Sequence, residues 1–264
     1  MYPKIQIEPQ SVDAAPPCIP LLSAAGFSAY FTYRGGICNA ESPYAGFNVC
    51  HYTGDSPGHI SHCRALLCGH LGIEEEALVV PRQTHSTNVA VIDNIPFDNR
   101  KFEGVDALVT TLDNVVIGVS TADCVPVVLG DIDSGVIGVA HVGWRGAVGG
   151  IVGNTVSAMV SVGADASKIK AALGPSICVD CFEVGEEVAA QFPAGCVERR
   201  SGWRKPHVNL QRFVTDELVY AGLERCNISP FSKELCTLCH PATFFSARSL
   251  GVNSGRLFTF VKRY

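Results

Sequence analysis

Three side chains in this sequence could hold one transition-metal ion together: His85, Cys124 and His141. Residues 125–129 and 136–140 are short apolar, β-branched runs separated by GDIDSG, a string of turn-forming residues. A hairpin centred on Ile132–Asp133 sets Cys124 opposite His141. Cross-strand neighbours have Cβ atoms about 4.5–5.5 Å apart, close enough for a thiolate and an imidazole to share an ion. His85 lies on a polar connector, PRQTHSTN, and adds a second imidazole. Two imidazoles and a thiolate leave a fourth position for water or substrate on Zn²⁺, and the same donors also suit copper. Asp123, beside Cys124, is placed to support the ligands or carry a proton, although a plain turn residue is an equal reading.

The hairpin runs into GWRGAVGG and then the apolar run 151–162. Glycines admit a ligand close to the backbone, a helix start offers N–H groups, and Arg145 adds a planar donor for phosphate or carboxylate. A helix is expected over residues 147–162. Upstream, residues 1–20 are Pro-rich and read as a surface segment, and residues 26–34 read as a strand broken by Gly35-Gly36. Ser56 caps a helix that has Pro57 at its first position and reaches about Leu71. Strands are expected at 77–80, 89–92, 105–110, 115–120, 169–173 and 256–261, and helices at 183–192 and 209–226, the latter capped by Asn209. So many adjacent strands predict an α+β fold with a mixed or antiparallel sheet flanked by helices. No repeat or linker marks a boundary, so residues 1–264 are read as one domain.

The balance of residues narrows the function classes. A net charge of −5, with lysines and arginines scattered, argues against nucleic acid as a partner. Asp123, Asp131 and Arg145 interrupt the most apolar region, so no membrane span is expected. The N-terminal residues lack a basic start followed by an apolar run, which points to a cytoplasmic, reducing location. The 12 cysteines are then thiols or metal ligands rather than disulfides. Cys178/Cys181 and Cys236/Cys239 form two C-x-x-C pairs of the kind that build structural zinc sites. His59 and His62 share a helical face with Cys63 nearby, a further group that could take an ion.

The strings PRQTHS, VDALVT, TADCVPVVL, AHVGWRG, LGPSICVDCFEVG and CTLCHPATFFSARSLGVNSGR closely resemble the YfiH-like family. That family is also called the multicopper polyphenol oxidase or laccase-domain family. The resemblance runs in order from about Gly35 to the C-terminus and implies the YfiH-like fold, with a catalytic zinc on His85, Cys124 and His141. It also implies a purine nucleoside phosphorylase that cleaves adenosine, inosine, guanosine or methylthioadenosine with phosphate, with adenosine deamination in some members. Asn48 and Arg248 match positions that line the family's pocket. Copper-dependent phenol oxidation is the alternative, but a multicopper centre needs more grouped histidines than these eight provide. A third reading, editing of peptidoglycan precursors, would use Cys124 as nucleophile and His141 as base.

Overall fold

The computed structural model describes residues 15–35, 42–94 and 102–264. The expectations for residues 1–14 and for Gly36 lie outside them. Among the described residues the strands are, in chain order, β1 (Cys18–Ala24), β2 (Phe27–Thr32), β3 (Leu78–Val79), β4 (Val89–Ile92), β5 (Ala107–Thr110), β6 (Val116–Thr121) and β7 (Val125–Gly130). They continue with β8 (Ile137–Val142), β9 (Lys170–Leu173), β10 (Val197–Glu198), β11 (His207–Val208), β12 (Ile228–Ser229) and β13 (Leu257–Arg263). The helices are α1 (Pro57–Leu71), α2 (Trp144–Gly149), α3 (Ile151–Ser161), α4 (Glu186–Ala189), α5 (Leu210–Tyr220) and α6 (Ala247–Leu250).

This is a mixed α+β fold built on two packed sheets. One has the order β1-β2-β13-β6-β3, the other β12-β9-β7-β8-β5-β4. The pairs β3–β6, β4–β5 and β9–β12 are parallel and the rest antiparallel. Period-2 alternation sorts each strand between two cores. Ile137, Val139 and Val128 face the other sheet, where they meet Phe27, Ile117 and Val119. Val125, Val127, Leu129 and Val142 face the opposite way, onto α3 and α5 through Val152, Val156 and Val214. Strands buried on both faces explain why β6, β7 and β8 read as nearly unbroken apolar runs. Helix α1 covers the outer face of the first sheet, seating Cys63 and Leu67 against Phe258 and Phe260. Burying each of the larger side chains contributes about 1.5–3 kcal/mol.

His141 continues the inter-sheet face of Ile137 and Val139, at the end of β8 where the sandwich opens. Among the described residues, no helix is long and apolar enough to cross a membrane.

The structure corrects several boundaries. The β7–β8 hairpin pairs Pro126 with His141 and Val125 with Val142, so its centre lies one residue later than Ile132–Asp133. The cause is a four-residue loop closed by Asp131 N–H to Val136 O at 2.9 Å. The Asp131 carboxylate accepts from Asp133 N–H (3.0 Å) and the Ser134 hydroxyl (2.8 Å), and Gly135 supplies the left-handed φ of 71°. The helix expected over 147–162 starts three residues earlier and is cut in two at Gly150, whose φ of 93° ends α2. The helices expected at 183–192 and 209–226 are shorter, α4 being a single turn before Pro193 and α5 stopping before Gly222, at φ 107°. Residues 18–20, the end of the expected surface segment, instead begin edge strand β1, where a bulge between Pro20 and Leu22 accommodates the proline. Ser56 caps α1 as expected, its side chain accepting from His59 N–H.

Candidate active site

His85, Cys124 and His141 come together at the open end of the sandwich. One potential ligand atom from each lies within 4.8 Å of the other two. Cys124 Sγ is 3.6 Å from His85 Nε2, and the two imidazole centroids are 4.9 Å apart. Tetrahedral bonds of about 2.3 Å to sulfur and about 2.0–2.1 Å to nitrogen set an S···N separation of about 3.5 Å. The cluster therefore fits one ion with little movement. Its side facing the cavity described below carries no further His, Cys, Asp or Glu ligand among the described residues.

One carboxylate organises this arrangement. Asp106, fully buried just before β5, accepts His141 Nδ1–H at 2.7 Å through Oδ1, which leaves Nε2 as the free ligand atom. The same carboxylate accepts the backbone N–H groups of Thr84 (3.1 Å), His85 (3.0 Å) and Ser86 (2.8 Å), and the Ser86 hydroxyl (2.8 Å). This nest of donors bends the β3–β4 connector so that His85 adopts a φ of 61° and turns towards Cys124. Gly143 allows the approach: a Cβ there would stand 2.5 Å from His85 Cδ2 and 3.1 Å from Cys124 Sγ.

Burial alone would push the Cys124 thiol up, but His141 and His85 beside it bring it down to about 6. Burial would push His141 down, yet Cys124 and Asp106 raise it to about 9. The two side chains thus favour a thiolate–imidazolium pair near neutral pH. Asp106 is disfavoured as a charge by burial, and donors led by His141 outweigh this, holding it at about 2.

The cluster opens into a cavity of about 620 Å³. Trp144 and Val252 give it apolar wall, Tyr52 and Asn253 polar wall, and Arg248 and Arg256 positive charge. Thr53 also lines it with a buried hydroxyl that has no hydrogen-bond partner among the described residues. Asp123, at φ 91°, forms part of this wall, clamped by the Thr237 hydroxyl (2.6 Å) and Arg248 N–H (2.7 Å) on its two carboxylate oxygens. Those bonds make it a brace between loops.

Residues 28–263 match the family described as multi-copper polyphenol oxidoreductase laccase. The chain belongs to this family. It is 44% identical over 253 residues to a protein named adenosine deaminase RL5 from an unknown prokaryotic organism, covering 91% of this chain and 95% of that one. It is 34% identical over 250 residues to a purine nucleoside phosphorylase of Bacteroides thetaiotaomicron, covering 90% and 92%. Among solved structures, Bacillus licheniformis hypothetical protein YfiH superposes with a TM-score of 0.85 at 24% identity over 95% of this chain and 98% of that one, a likeness of fold alone. YlmD from Geobacillus stearothermophilus gives 0.81 at 28% identity, covering 90% and 92%.

The remaining sequence candidates fall in different places. Arg248 lines the cavity, its guanidinium donating to Glu183 O at 3.2 Å from two nitrogens. Arg145 does not line it: the side chain is exposed and lies over the Trp144 ring, 4.3 Å from the centroid. Asn48 is buried behind the cavity, where Oδ1 accepts Cys50 N–H (3.1 Å) and Arg256 N–H (3.2 Å), and Nδ2 donates to Asp55 (2.8 Å). His59 pairs with Asp55 at 2.8 Å, and no group of three metal ligands forms there among the described residues. Sequence reasoning missed Asp106 and Arg256. VDALVT holds the first, but no local spacing ties a residue before β5 to the loop at 84–86.

Proposed function

We propose that this chain is a zinc-dependent enzyme of purine nucleosides, cleaving the N-glycosidic bond of adenosine, inosine, guanosine and methylthioadenosine with phosphate, and deaminating adenosine. The observation that carries the reading is the His85–Cys124–His141 cluster facing a cavity of about 620 Å³ with an aromatic wall and arginines. That volume lies within the range of small-molecule sites, about 300–1,000 Å³. The names of the relatives in the previous section support the substrate class. When bound, zinc supplies Lewis-acid activation of water or of an oxyanion.

The chain's own residues do the rest. Asp106 keeps a proton on His141 Nδ1, so that Nε2 faces Cys124. Trp144 offers a ring face to a purine, and Arg248 a fixed cation to phosphate, the role expected of Arg145. Asp123 holds the two loops that present Arg248. Nucleoside and phosphate are thus the partners in this reading, with neither nucleic acid nor membrane required.

The experiment incubates zinc-loaded protein with adenosine or inosine, with and without phosphate, and resolves the products chromatographically. Free base and ribose 1-phosphate are expected with phosphate, and inosine from adenosine without it. Zinc-loaded protein inert towards both nucleosides would overturn the proposal. The thiolate–imidazolium pair favours a second reading, an amidase with Cys124 as nucleophile. Such an activity would survive a chelator, whereas the zinc enzyme stops.

A further inference from the structure

A second group of metal-ligand residues stands behind the cavity wall. Cys178, Cys181, Cys236 and Cys239 place their four sulfurs within 4.8 Å of one another. We propose that these four thiols form a structural zinc site that clips the 176–182 segment to the 235–240 segment and thereby fixes one wall of the active-site cavity.

The geometry is that of a cage for an ion. A tetrahedral zinc with bonds of about 2.3 Å sets its sulfurs about 3.8 Å apart. Cys181 Sγ and Cys239 Sγ are 3.5 Å apart, well beyond a disulfide bond of about 2.05 Å, and all four side chains are free thiols. Each pair sits on a tight turn: Cys181 N–H and Phe182 N–H both donate to Cys178 O (3.0 and 2.9 Å), and His240 N–H donates to Cys236 O (3.2 Å). Cys178 N–H points at Cys236 Sγ, 3.3 Å away, a donor that favours a thiolate there. A set of four soft donors selects zinc over hard cations such as magnesium or calcium.

Lys233 and Arg200 pair with Asp180, between Cys178 and Cys181, and Arg200 also pairs with Glu198, so the turn that carries the first two cysteines is held by a network of ion pairs. Zinc binds each sulfur as a thiolate, and the protons of the thiols leave to solvent.

The clip reaches the active site through two residues. Ser176 N–H donates to Leu235 O (3.1 Å) and Thr237 N–H to Ser176 O (3.2 Å), a short bridge beside the cysteines. Thr237, next to Cys236, then donates its hydroxyl to Asp123 Oδ1, and Ile177, next to Cys178, donates N–H to Asp123 O at 2.9 Å. Asp123 directly precedes the ligand Cys124.

The test uses the full chain and does not depend on nucleoside activity. The Cys124→Ser variant removes one ligand of the first cluster and leaves the second intact. After overnight dialysis against a weak chelator, this variant is expected to retain one zinc per chain. Replacing that zinc by cobalt should give the intense visible and sulfur-to-metal charge-transfer absorption of a tetrathiolate centre. Cys181→Ser and Cys239→Ser, made in the same background, should lose the ion and the spectrum. A folded Cys124→Ser protein with no retained ion, or with a Cys181–Cys239 disulfide by peptide mass mapping, overturns the proposal. If the added serine variants fail to fold, the Cys124→Ser measurement alone decides.

Discussion

Replacing Asp106 by Asn tests whether one carboxylate sets up the whole cluster. The variant keeps size and shape but puts an NH₂ group where one oxygen stood. If NH₂ replaces Oδ2, the N–H groups of Thr84 and Ser86 both lose their acceptor. If it replaces Oδ1, His85 N–H loses its acceptor, and His141 must take the other tautomer to accept at Nδ1. A buried donor left without a partner costs about 1–3 kcal/mol, so the first orientation costs about 2–6 kcal/mol and the second about 1–3 kcal/mol. The second is cheaper for folding, yet it puts the proton on His141 Nε2, the atom that faces Cys124.

The expected stability loss is therefore about 1–3 kcal/mol, which for a chain of this size lowers Tm by about 2–12 °C. Loss of a residue that orients a ligand costs about 10–100-fold in metal affinity. Calorimetry of the metal-stripped protein reads the first effect, and competition with a chromophoric chelator reads the second. Wild-type zinc affinity in Asp106→Asn would refute the idea that this carboxylate selects the His141 tautomer, whatever the change in Tm.

Three further outcomes follow from the same geometry. Gly143→Ala should weaken zinc binding more than folding, because the new methyl displaces the exposed His85 ring from 2.5 Å, and chelator competition against a melting curve separates the two. Arg248→Ala should raise KM for phosphate while Arg145→Ala leaves it unchanged, since Arg248 lines the cavity and Arg145 does not. In metal-stripped protein, ultraviolet thiolate absorbance should show Cys124 ionised at neutral pH and protonated as pH falls through about 6. The folded pKa is depressed, so the thiolate is kept above that value and lost below it. Ion binding should then release one proton from this pair between about 6 and 9, the one on His141, and a second below about 6. A Cys124 thiol that titrates near 9 would refute the pairing.

How much of this was legible in the sequence depended on how local each cause is. Ser56 and Pro57 announce α1, and the runs at 125–129 and 136–140 announce β7 and β8, because caps and strand alternation act over a few residues. Residues 18–24 were missed because prolines disfavour a strand, while an edge position that tolerates them is a property of the sheet order. The left-handed backbone at His85 and Asp123 was illegible for the same reason: Asp106, Thr237 and Arg248 impose it from distant parts of the chain. The hairpin shows why the pairing of Cys124 with His141 survived a misplaced turn. Moving its centre by one residue shifts each partner by two, and a two-residue shift returns a side chain to the same face of the strand. Cys124 thus lies diagonal to His141 instead of opposite it, a spacing of about 7–8 Å between backbones that a sulfur and an imidazole can span. A shift by an odd number would have turned His141 towards α3 and left Asp106 without its partner.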